Sequence, residues 1–587
     1  MRIAVLAKQV PAFAEMSLGP DGRLQRAGAA PEMNPYCRRA VARAVAWAEE
    51  RPGVSITVLT LGPEGAEDVL REAIAWGLER SADIDGVLVT DPAFAGSDTL
   101  ATALALAAAI ERTGPFDLVL TGRNSVDADT GQVPPELAEL LGLPFLTGIR
   151  EAALGADRLT ARCEHDDGWV AAEVMLPAVV SCAERLIDPA KVDPPGRAAV
   201  PATRLRRLTA DDLGSGPWGA DASPTWVGPV RELGRPRTGE VNPDRSLAEQ
   251  VARAVEVLHE RGALGDDPGA PAPAAERPVP AARPGAPVTA VLAEPGRDRT
   301  TRELLGAAAT LTGAVIVLTS DPSDPVALAG SGADEIIHLT GPVSEAAVAR
   351  AAAPLVAEAV IVLAPSTVWG REVASRIAAR LGAGLTGDAV ELAADADGRL
   401  TAWKPAFGGQ LVAAIGTRGR PQMATVRAGV LPLLAPRPGA TAPVRTVAVE
   451  PAPGITISAR TRDDDLDLLA DAPAVVGVGA GVAPDDYDRL EPLRHVLAAE
   501  LAATRKVTDK AWMPRARQIG ITGRSIAPRL FVSIGASGKF NHMVGVRGAG
   551  TVLAINADPA APVFGVADIG IVGDWREVVS LLVAALD

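Results

Sequence analysis

Short apolar runs separated by helical stretches occur in two copies of one layout along this chain, and that repetition restricts its fold more than any other feature. In the first copy the runs are Ile3 to Ala7, Ile56 to Leu61, Gly86 to Val89 and Leu118 to Thr121. Helical patterns begin at Pro35 and fill Ala66 to Trp76 and Thr99 to Arg112 between them. Such alternation predicts a doubly wound parallel sheet, because parallel strands need long crossovers and their helices cover both faces. The layout restarts at Val288 with VTAVLAE, then AVIVLTS, DEIIHL and AVIVLAP, and the VWGREVASRIAARLGAGLTGD that follows parallels the loop, helix and LGLPFLTGI of the first copy. Between the copies, Gly265 to Pro287 is Pro/Ala-rich with almost nothing to bury, which predicts a linker. Just before it, Leu247 to Leu258 has helical periodicity.

Composition narrows the class. A chain of 587 residues is long enough for several domains. Aromatic content is only 3%, so the cores must be built from Ala, Val and Leu, which suits helices packed closely on parallel sheets. The net charge of −15 argues against nucleic acid as a partner, since phosphate binding needs a basic face. The three cysteines, Cys37, Cys163 and Cys182, form no CxxC pair and join no His cluster, so a disulfide framework and a zinc site are not suggested and a reducing cytoplasm fits. The longest Ala/Leu stretch, Leu100 to Ile110, falls short of the ~20 residues of a membrane span, so contact with a membrane is expected at most through a partner. After Pro144 the runs LTARCEH and WVAAEVML around Asp166-Asp167-Gly168 read as a hairpin appended to the sheet, and Asp188 to Leu208, rich in Pro and Arg, reads as an exposed loop.

The last hundred or so residues make a third unit. Three apolar strands, Leu530 to Ile534, Thr551 to Ile555 and Val563 to Val566, are expected to end in GASGKFNH, NADP and ADIG. Strand ends that open into Gly, Ser and Asn place backbone N–H groups where a phosphate or a ring edge can approach. VGVGAGV, from Val476 to Val482, is a poor dinucleotide fingerprint, because its third glycine is misplaced and no acidic residue follows a convincing βαβ unit. No nucleophile with its base and no paired-carboxylate centre is suggested by spacing.

From Val475 to the C-terminus the motifs closely resemble the FAD-binding domain of the electron transfer flavoprotein alpha subunit. MNPYC (Met33 to Cys37) and GRNSVDADTGQVPPELAELLGLP (Gly122 to Pro144) resemble the beta subunit of the same heterodimer, and the two resemblances together imply both subunits in one chain. The resemblance implies an α/β protein with two doubly wound parallel-sheet domains of similar design plus a C-terminal flavodoxin/Rossmann-like FAD domain. Its expected divisions are a beta-like nucleotide-binding domain at 1–240, a helical arm at 241–264, the linker at 265–287, an alpha-like domain at 288–445 and the FAD domain at 446–587. KPAFGGQ (Lys404 to Gln410) and RPQMATVRAGV (Arg420 to Val430) are the recognisable pieces of the alpha-like domain.

For the flavin, the resemblance implies that Thr504 and Arg505 match a Ser-Arg pair whose guanidinium lies at the ring. A fixed cation in a poorly solvated pocket favours a negatively charged reduced ring. Ile519, Gly520, Ile521 and Thr522 match V-G-Q-T, where amides and the threonine hydroxyl meet the ring edge, with Ile521 in place of Gln. Ser537, Gly538, Lys539, Phe540, Asn541 and His542 match S-G-A-I-Q-H; Gly538 would permit close backbone approach and His542 would donate toward a flavin carbonyl. Asn556 and Asp574, the latter followed by Trp575, match adenosine-side contacts. The family's G-R-G is Gly479-Ala480-Gly481 here, so one arginine is missing and a lower flavin potential is expected. The bland alternatives are a surface arginine at Arg505 and a structural histidine at His542.

A second nucleotide site is implied in the first copy. Asp127-Ala128-Asp129-Thr130-Gly131-Gln132-Val133 is nearer to the D-G-D-T-A-Q-V of beta subunits that bind a second FAD than to the D-D-D-C-N-Q-T of those that bind AMP. Asn34, Pro35, Tyr36 and Cys37 resemble N-P-F-C, which borders the adenine, and Leu6, Leu61 and Gly122 complete the pocket by position. Pro134 departs from V-G-P, which leaves AMP and FAD both open; an ordinary strand-to-helix loop is the plain alternative. The stretch DPAKVDPPGRAAVPATRLRRL keeps the basic end of the family's partner-docking loop (Arg204, Arg206, Arg207) but lacks its Tyr and Met, which points to a changed partner or only to a solvated loop. The implied function is a cytoplasmic FAD-containing electron carrier between a dehydrogenase and a quinone-linked or other electron-accepting oxidoreductase. The rivals are an adenine-nucleotide-binding enzyme or sensor that has lost flavin, and an electron-bifurcating two-FAD flavoprotein using NADH.

Overall fold

A computed structural model describes the chain except residues 12–16, 19–23, 26–30, 167, 233–236, 238, 265–274, 284, 323, 342–343, 396–397, 407–410, 463–467, 470–471, 521–522, 525, 547 and 587. The first copy builds a ten-stranded sheet in the order Leu205–Leu208, Asp83–Val89, Ser55–Leu61, Arg2–Leu6, Leu118–Gly122, Ala178–Cys182, Phe145–Leu154, Arg158–Glu164, Gly168–Met175 and Ile455–Arg462. Strand Arg2–Leu6 shows why its sequence is apolar throughout: Ile3 and Val5 face helices Pro35–Glu50 and Glu67–Leu78, while Ala4 and Leu6 face helices Thr99–Thr113 and Val133–Leu140. The second copy is a seven-stranded parallel sheet in the order Leu385–Ala389, Gln422–Val426, Ile361–Pro365, Val288–Ala293, Ala314–Thr319, Glu335–Thr340 and Val444–Ala448. Read from opposite ends, the parallel strands of the two sheets follow one spatial order. The duplication legible in the sequence is a duplication of topology.

The halves also exchange strands. Ile455–Arg462, after the second copy, pairs antiparallel with Gly168–Met175 of the first copy's hairpin. Thr225–Glu232, after the first copy, pairs antiparallel with Leu411–Thr417 in a four-stranded sheet of the second. Each hairpin would otherwise end in an exposed strand edge, and the exchange satisfies both.

The terminal unit is a parallel sheet in the order Ala499–Ala503, Ala474–Val478, Leu530–Ile534, Thr551–Asn556 and Ile569–Val572, with Glu240–Val241 added at the last edge. This is the flavodoxin-like order, in which ligands bind where successive connections leave in opposite directions. Helix Leu247–Glu260 lies on helix Trp575–Leu586 and strand Ile569–Val572, burying Val251, Ala254 and Leu258 in the core of this unit. Among the described residues no helix is long and apolar enough to cross a membrane.

The expected divisions shift in four places. Residues Val563 to Val566 are not a strand: Pro562–Val566 is a 3-10 turn and the strand is Ile569–Val572. Pro562 cannot donate to a ladder, and Val563 and Phe564 are buried from the turn. Asp188 to Leu208 is not wholly a loop, since Leu205–Leu208 pairs with Asp83–Val89 as an edge strand with Arg206 and Arg207 exposed. The linker region ends earlier than Pro287: Ala275–Pro278 pairs with Leu434–Ala435 and Val279 is buried in the second copy's core. Residues 265–274 of that linker lie outside the described ones. Finally, Thr225–Glu232 and Ile455–Arg462 each belong, by pairing, to the opposite half from the one expected at 1–240 and 446–587.

Candidate functional site

In chain order, the described flavin-side residues expected from the sequence lie at or after the carboxyl ends of strands Ala499–Ala503, Leu530–Ile534, Thr551–Asn556 and Ile569–Val572, and the switch of the sheet lies between Ala474–Val478 and Leu530–Ile534. There the two loops touch backbone to backbone: the Gly479 amide donates to Ile534 O (2.8 Å) and the Gly481 amide to Gly535 O (3.1 Å). A Cβ on Gly479 would lie 2.1 Å from Gly535 O, so this glycine is required by the fold itself. Gly538 is likewise crowded by the Val563 backbone, at 2.2 Å from a Cβ, rather than left open for close approach to a ligand. Ala480 is exposed in the first loop.

Thr504 stands at the N-cap position of a short helix that starts at Arg505, without a side-chain capping bond. The Arg505 guanidinium is half exposed and pairs with Asp509 (3.2 Å) and, at 3.8 Å, with Glu184 from the first copy. The Ile519 amide donates to Ala503 O and its carbonyl faces His542 Nδ1 at 3.2 Å. Gly520 adopts φ 127°, a conformation open to glycine, and bonds Arg524 O. Ile521 and Thr522, and the side chains of Phe540 and Asn541, lie outside the described residues. Ser537 and Lys539 are exposed on either side of Gly538. Asn556 is spent inside the protein, donating to Ala536 O (2.9 Å) and accepting from the Asp558 amide (2.9 Å), so it staples two strand-end loops. Asp574 accepts from the Arg576 amide (2.9 Å) at the start of the last helix, and Trp575 is buried in the core with its indole Nε1 unpartnered.

His542 is the residue on which the fit of a flavin can be tested. It is buried at 7% exposure, and its Nε2 has no hydrogen-bond partner. Burial holds its pKa down to about 4, so the ring is neutral near pH 7. A carbonyl can only accept, hence Nδ1 carries the proton toward Ile519 O and Nε2 is left an acceptor. Donation from His542 to a ring carbonyl, expected from the resemblance, is therefore not what this geometry supplies; Nε2 suits an N–H or O–H of a ligand. An orphaned buried acceptor fits a flavin with its ring N–H and ribityl hydroxyls.

In the first copy the loop after Leu118–Gly122 is built by Asn34. This residue, 1% exposed, donates from Nδ2 to Asn124 O (2.8 Å) and accepts the Val126 amide at Oδ1 (3.2 Å). Pro35 starts the helix, and Gly122 is pressed on Tyr36 and Cys37, so that a Cβ would come within 2.7 Å of Tyr36. Lys8 bonds both oxygens of Asp127 at 2.9 Å; burial would raise that carboxyl, but the ammonium outweighs it and holds it low. Asp129 (φ 46°) accepts from Asn124 Nδ2 (2.6 Å), and Gly131 (φ 65°) leaves room for Asn124 Oδ1. Thr130 lies against Gly387 of the second copy, and Gln132 donates to Leu385 O (3.2 Å), so this loop is braced across the halves before helix Val133–Leu140 begins. Leu6 and Leu61 pack in the core on that face. A recess beside the loop is lined by Arg123, Asn124, Gly131, Thr147, Ser181 and Arg371.

Sequence reasoning missed the residues that join the two sites. Tyr36 donates its hydroxyl to Glu184 (2.7 Å), and the other oxygen of Glu184 takes Arg515 of the terminal unit (3.1 Å). Burial would raise Glu184, but Arg515, Arg505 and the Tyr36 hydroxyl outweigh it and hold it down to about 2. Arg515 also reaches Glu164 at 3.4 Å. The partners are hundreds of positions apart and share no motif; the Tyr in place of Phe in N-P-F-C was the one available signal. Arg204, Arg206 and Arg207 do not form a free basic patch, since Arg204 pairs with Asp83 and Asp85 and Arg207 with Glu64 and Glu67.

Comparison with known proteins follows this division. Residues 21–206 and 289–452 match the electron transfer flavoprotein domain, and residues 468–547 match the electron transfer flavoprotein FAD-binding domain. The chain is 38% identical to protein FixB of Bradyrhizobium diazoefficiens over 232 residues, 38% of this chain and 63% of that one, so it spans less than two thirds of that relative's length. It is 36% identical to the electron transfer flavoprotein subunit beta of Thermoanaerobacterium thermosaccharolyticum over 265 residues, 44% of this chain and 99% of that one. It is 34% identical to the caffeyl-CoA reductase-Etf complex subunit CarD of Acetobacterium woodii over 230 residues, 39% of this chain and 86% of that one.

Proposed function

Since this chain belongs to the electron transfer flavoprotein family, with beta-like and alpha-like parts fused and an FAD-binding domain at its end, we propose that it is an FAD-containing electron carrier that takes electrons from a dehydrogenase and delivers them to a quinone-linked or other oxidoreductase. The observation that carries this reading is the buried, unpartnered Nε2 of His542 at the switch point of a flavodoxin-like sheet. FAD, when bound there, supplies the one- and two-electron chemistry. The protein's own part is to hold and tune the cofactor. His542 Nε2 accepts from the ring or ribityl group, Ile519 fixes the imidazole, and Arg505 supplies positive charge at the ring edge that favours the reduced, anionic state. Ala480 adds no charge where the family has a second arginine, which lowers the potential relative to members that carry it.

The loop from Asp127 to Val133 holds a second nucleotide, AMP or FAD, at the start of helix Val133–Leu140. Its bracing by Asn34, Lys8 and Gln132 supports a preformed site. Extraction and counting of cofactors from the purified protein tests both statements. One FAD with one AMP, or two FAD, per chain is the expected result. A colourless protein that takes up no FAD on reconstitution would overturn the carrier reading.

A further inference from the structure

Tyr36 stands where the resembled motif has Phe, and its hydroxyl bonds Glu184, the side chain through which the first copy meets two arginines of the flavin unit. It donates to Glu184 Oε1 at 2.7 Å while Arg515 donates to Oε2 at 3.1 Å, and Arg505 lies 3.8 Å from Oε1. Glu184 therefore sits between a neutral donor of its own half and two cations of the terminal unit. One of these, Arg505, is the residue placed at the ring edge above.

We infer that Tyr36 is a positioning residue for the flavin: by engaging Glu184 Oε1 it keeps that carboxylate from closing on Arg505, and so leaves the guanidinium's charge available to the reduced ring. The inference rests on the FAD reading of the terminal unit. The physical argument is one of competition. A carboxylate oxygen held by a short phenol bond has less to offer a guanidinium at 3.8 Å than one without it, and a bidentate Arg–carboxylate pair would form if the phenol were removed. Arg505 already touches Asp509 at 3.2 Å, so a second carboxylate at close range turns its local balance from neutral to negative, and the field of one unit charge at short range in a half-buried site is strong enough to shift a redox equilibrium. The coupling is visible from the phenol as well, since burial and then Glu184 push Tyr36 well above the usual tyrosine range.

The test uses the full-length protein loaded with FAD. Tyr36→Phe restores the family residue, so folding is preserved while the hydroxyl is lost. Its expected effect is a fall in the midpoint potential of the bound FAD, equivalent to an approximately fivefold weaker preference for the reduced form, the size of one net hydrogen bond. Glu184→Gln removes the competing charge and raises the potential. Because Tyr36 acts through Glu184, the double variant behaves as Glu184→Gln alone. In the FAD-free protein, tyrosinate absorbance adds a second readout: with only two tyrosines, Tyr36 and Tyr487, the higher ionisation step moves down in Glu184→Gln. An unchanged potential in Tyr36→Phe, or a shift that adds independently to that of Glu184→Gln, overturns the inference. Failure to bind FAD at all would instead overturn the carrier reading on which it stands.

Discussion

A histidine that is buried, neutral and half-satisfied makes two demands that can be measured separately. If FAD is held as proposed, Nε2 gains a donor, and His542→Asn is expected to lose it and weaken FAD binding by about 1 kcal/mol, roughly fivefold in Kd by fluorescence titration. Without FAD, the imidazole resists protonation, its folded pKa being about 4 against the ordinary 6.5. Below the ordinary value the unfolded chain takes up a proton that the native one refuses, so stability is lost as pH falls from 6.5 through 4. The size is on the order of 3 kcal/mol, and His542→Asn removes this acid-labile part in chemical denaturation of the apo-protein. His542 was legible because SGxxxH is a local pattern. Its tautomer was not, because that depends on the Ile519 carbonyl more than twenty positions away, brought close only by the fold. The Glu184 cluster was illegible for the same reason.

At the scale of elements, helix Leu247–Glu260 was plain in the sequence as a periodic stripe, yet periodicity states only that a helix needs an apolar partner and never which one. Its partner proves to be the terminal sheet, across the whole second copy: Leu258 is fully buried with Trp575 and Ile571, Gln250 bonds the Val572 backbone, and Arg261 pairs with Asp568 at 3.2 Å. The short runs were harder to read. VFGV looks like a strand by apolarity, but Pro562 and the buried Asp568 shift the strand to Ile569–Val572. Leu258→Ala is expected to cost about 2–5 kcal/mol by leaving a cavity. Hydrogen exchange should show the loss in Leu530–Ile534, Thr551–Asn556 and Ile569–Val572, with strands Arg2–Leu6 and Ser55–Leu61 keeping their protection. Uniform loss across the chain would mean that the arm is not part of the flavin unit. The exposed neighbour Glu256→Ala serves as control, at no more than about 0.5 kcal/mol.

At the scale of the whole molecule, the reciprocal strands join the two copies, and the seam they close has an ionisable centre. The sequence showed two similar sheets joined by a linker; it could not show that Thr225–Glu232 and Ile455–Arg462 cross over, because edge strands choose partners by geometry that exists only once both sheets are made. Glu372 is buried beside that seam at 6% exposure, on helix Val368–Leu381 of the second copy. Arg376 of its own helix bonds it at 3.0 Å, Glu345 comes from helix Glu345–Val356, and Arg460, bound to Glu345 at 2.9 Å, arrives on the crossed strand. His165, Cys163, Glu345, Glu372 and Arg460 line one cavity, and Arg123 and Arg371 line a neighbouring recess that shares Glu372. Burial pushes Glu372 up to about 7; Glu345 adds to this and Arg376 opposes it. A carboxyl that holds its proton more tightly when folded stabilises the native state below its ordinary pKa of 4.5, and that contribution is lost as pH rises through about 7. This slope opposes the one from His542 between pH 4.5 and 6.5, so the apo-protein should look flatter there than either group alone dictates. Glu372→Gln removes the downward slope and uncovers the rise with pH that His542 imposes. Equilibrium denaturation at half-unit steps of pH decides it: a variant whose difference from the parent does not change between pH 5 and pH 7 would show that Glu372 ionises as freely in the seam as in the unfolded chain.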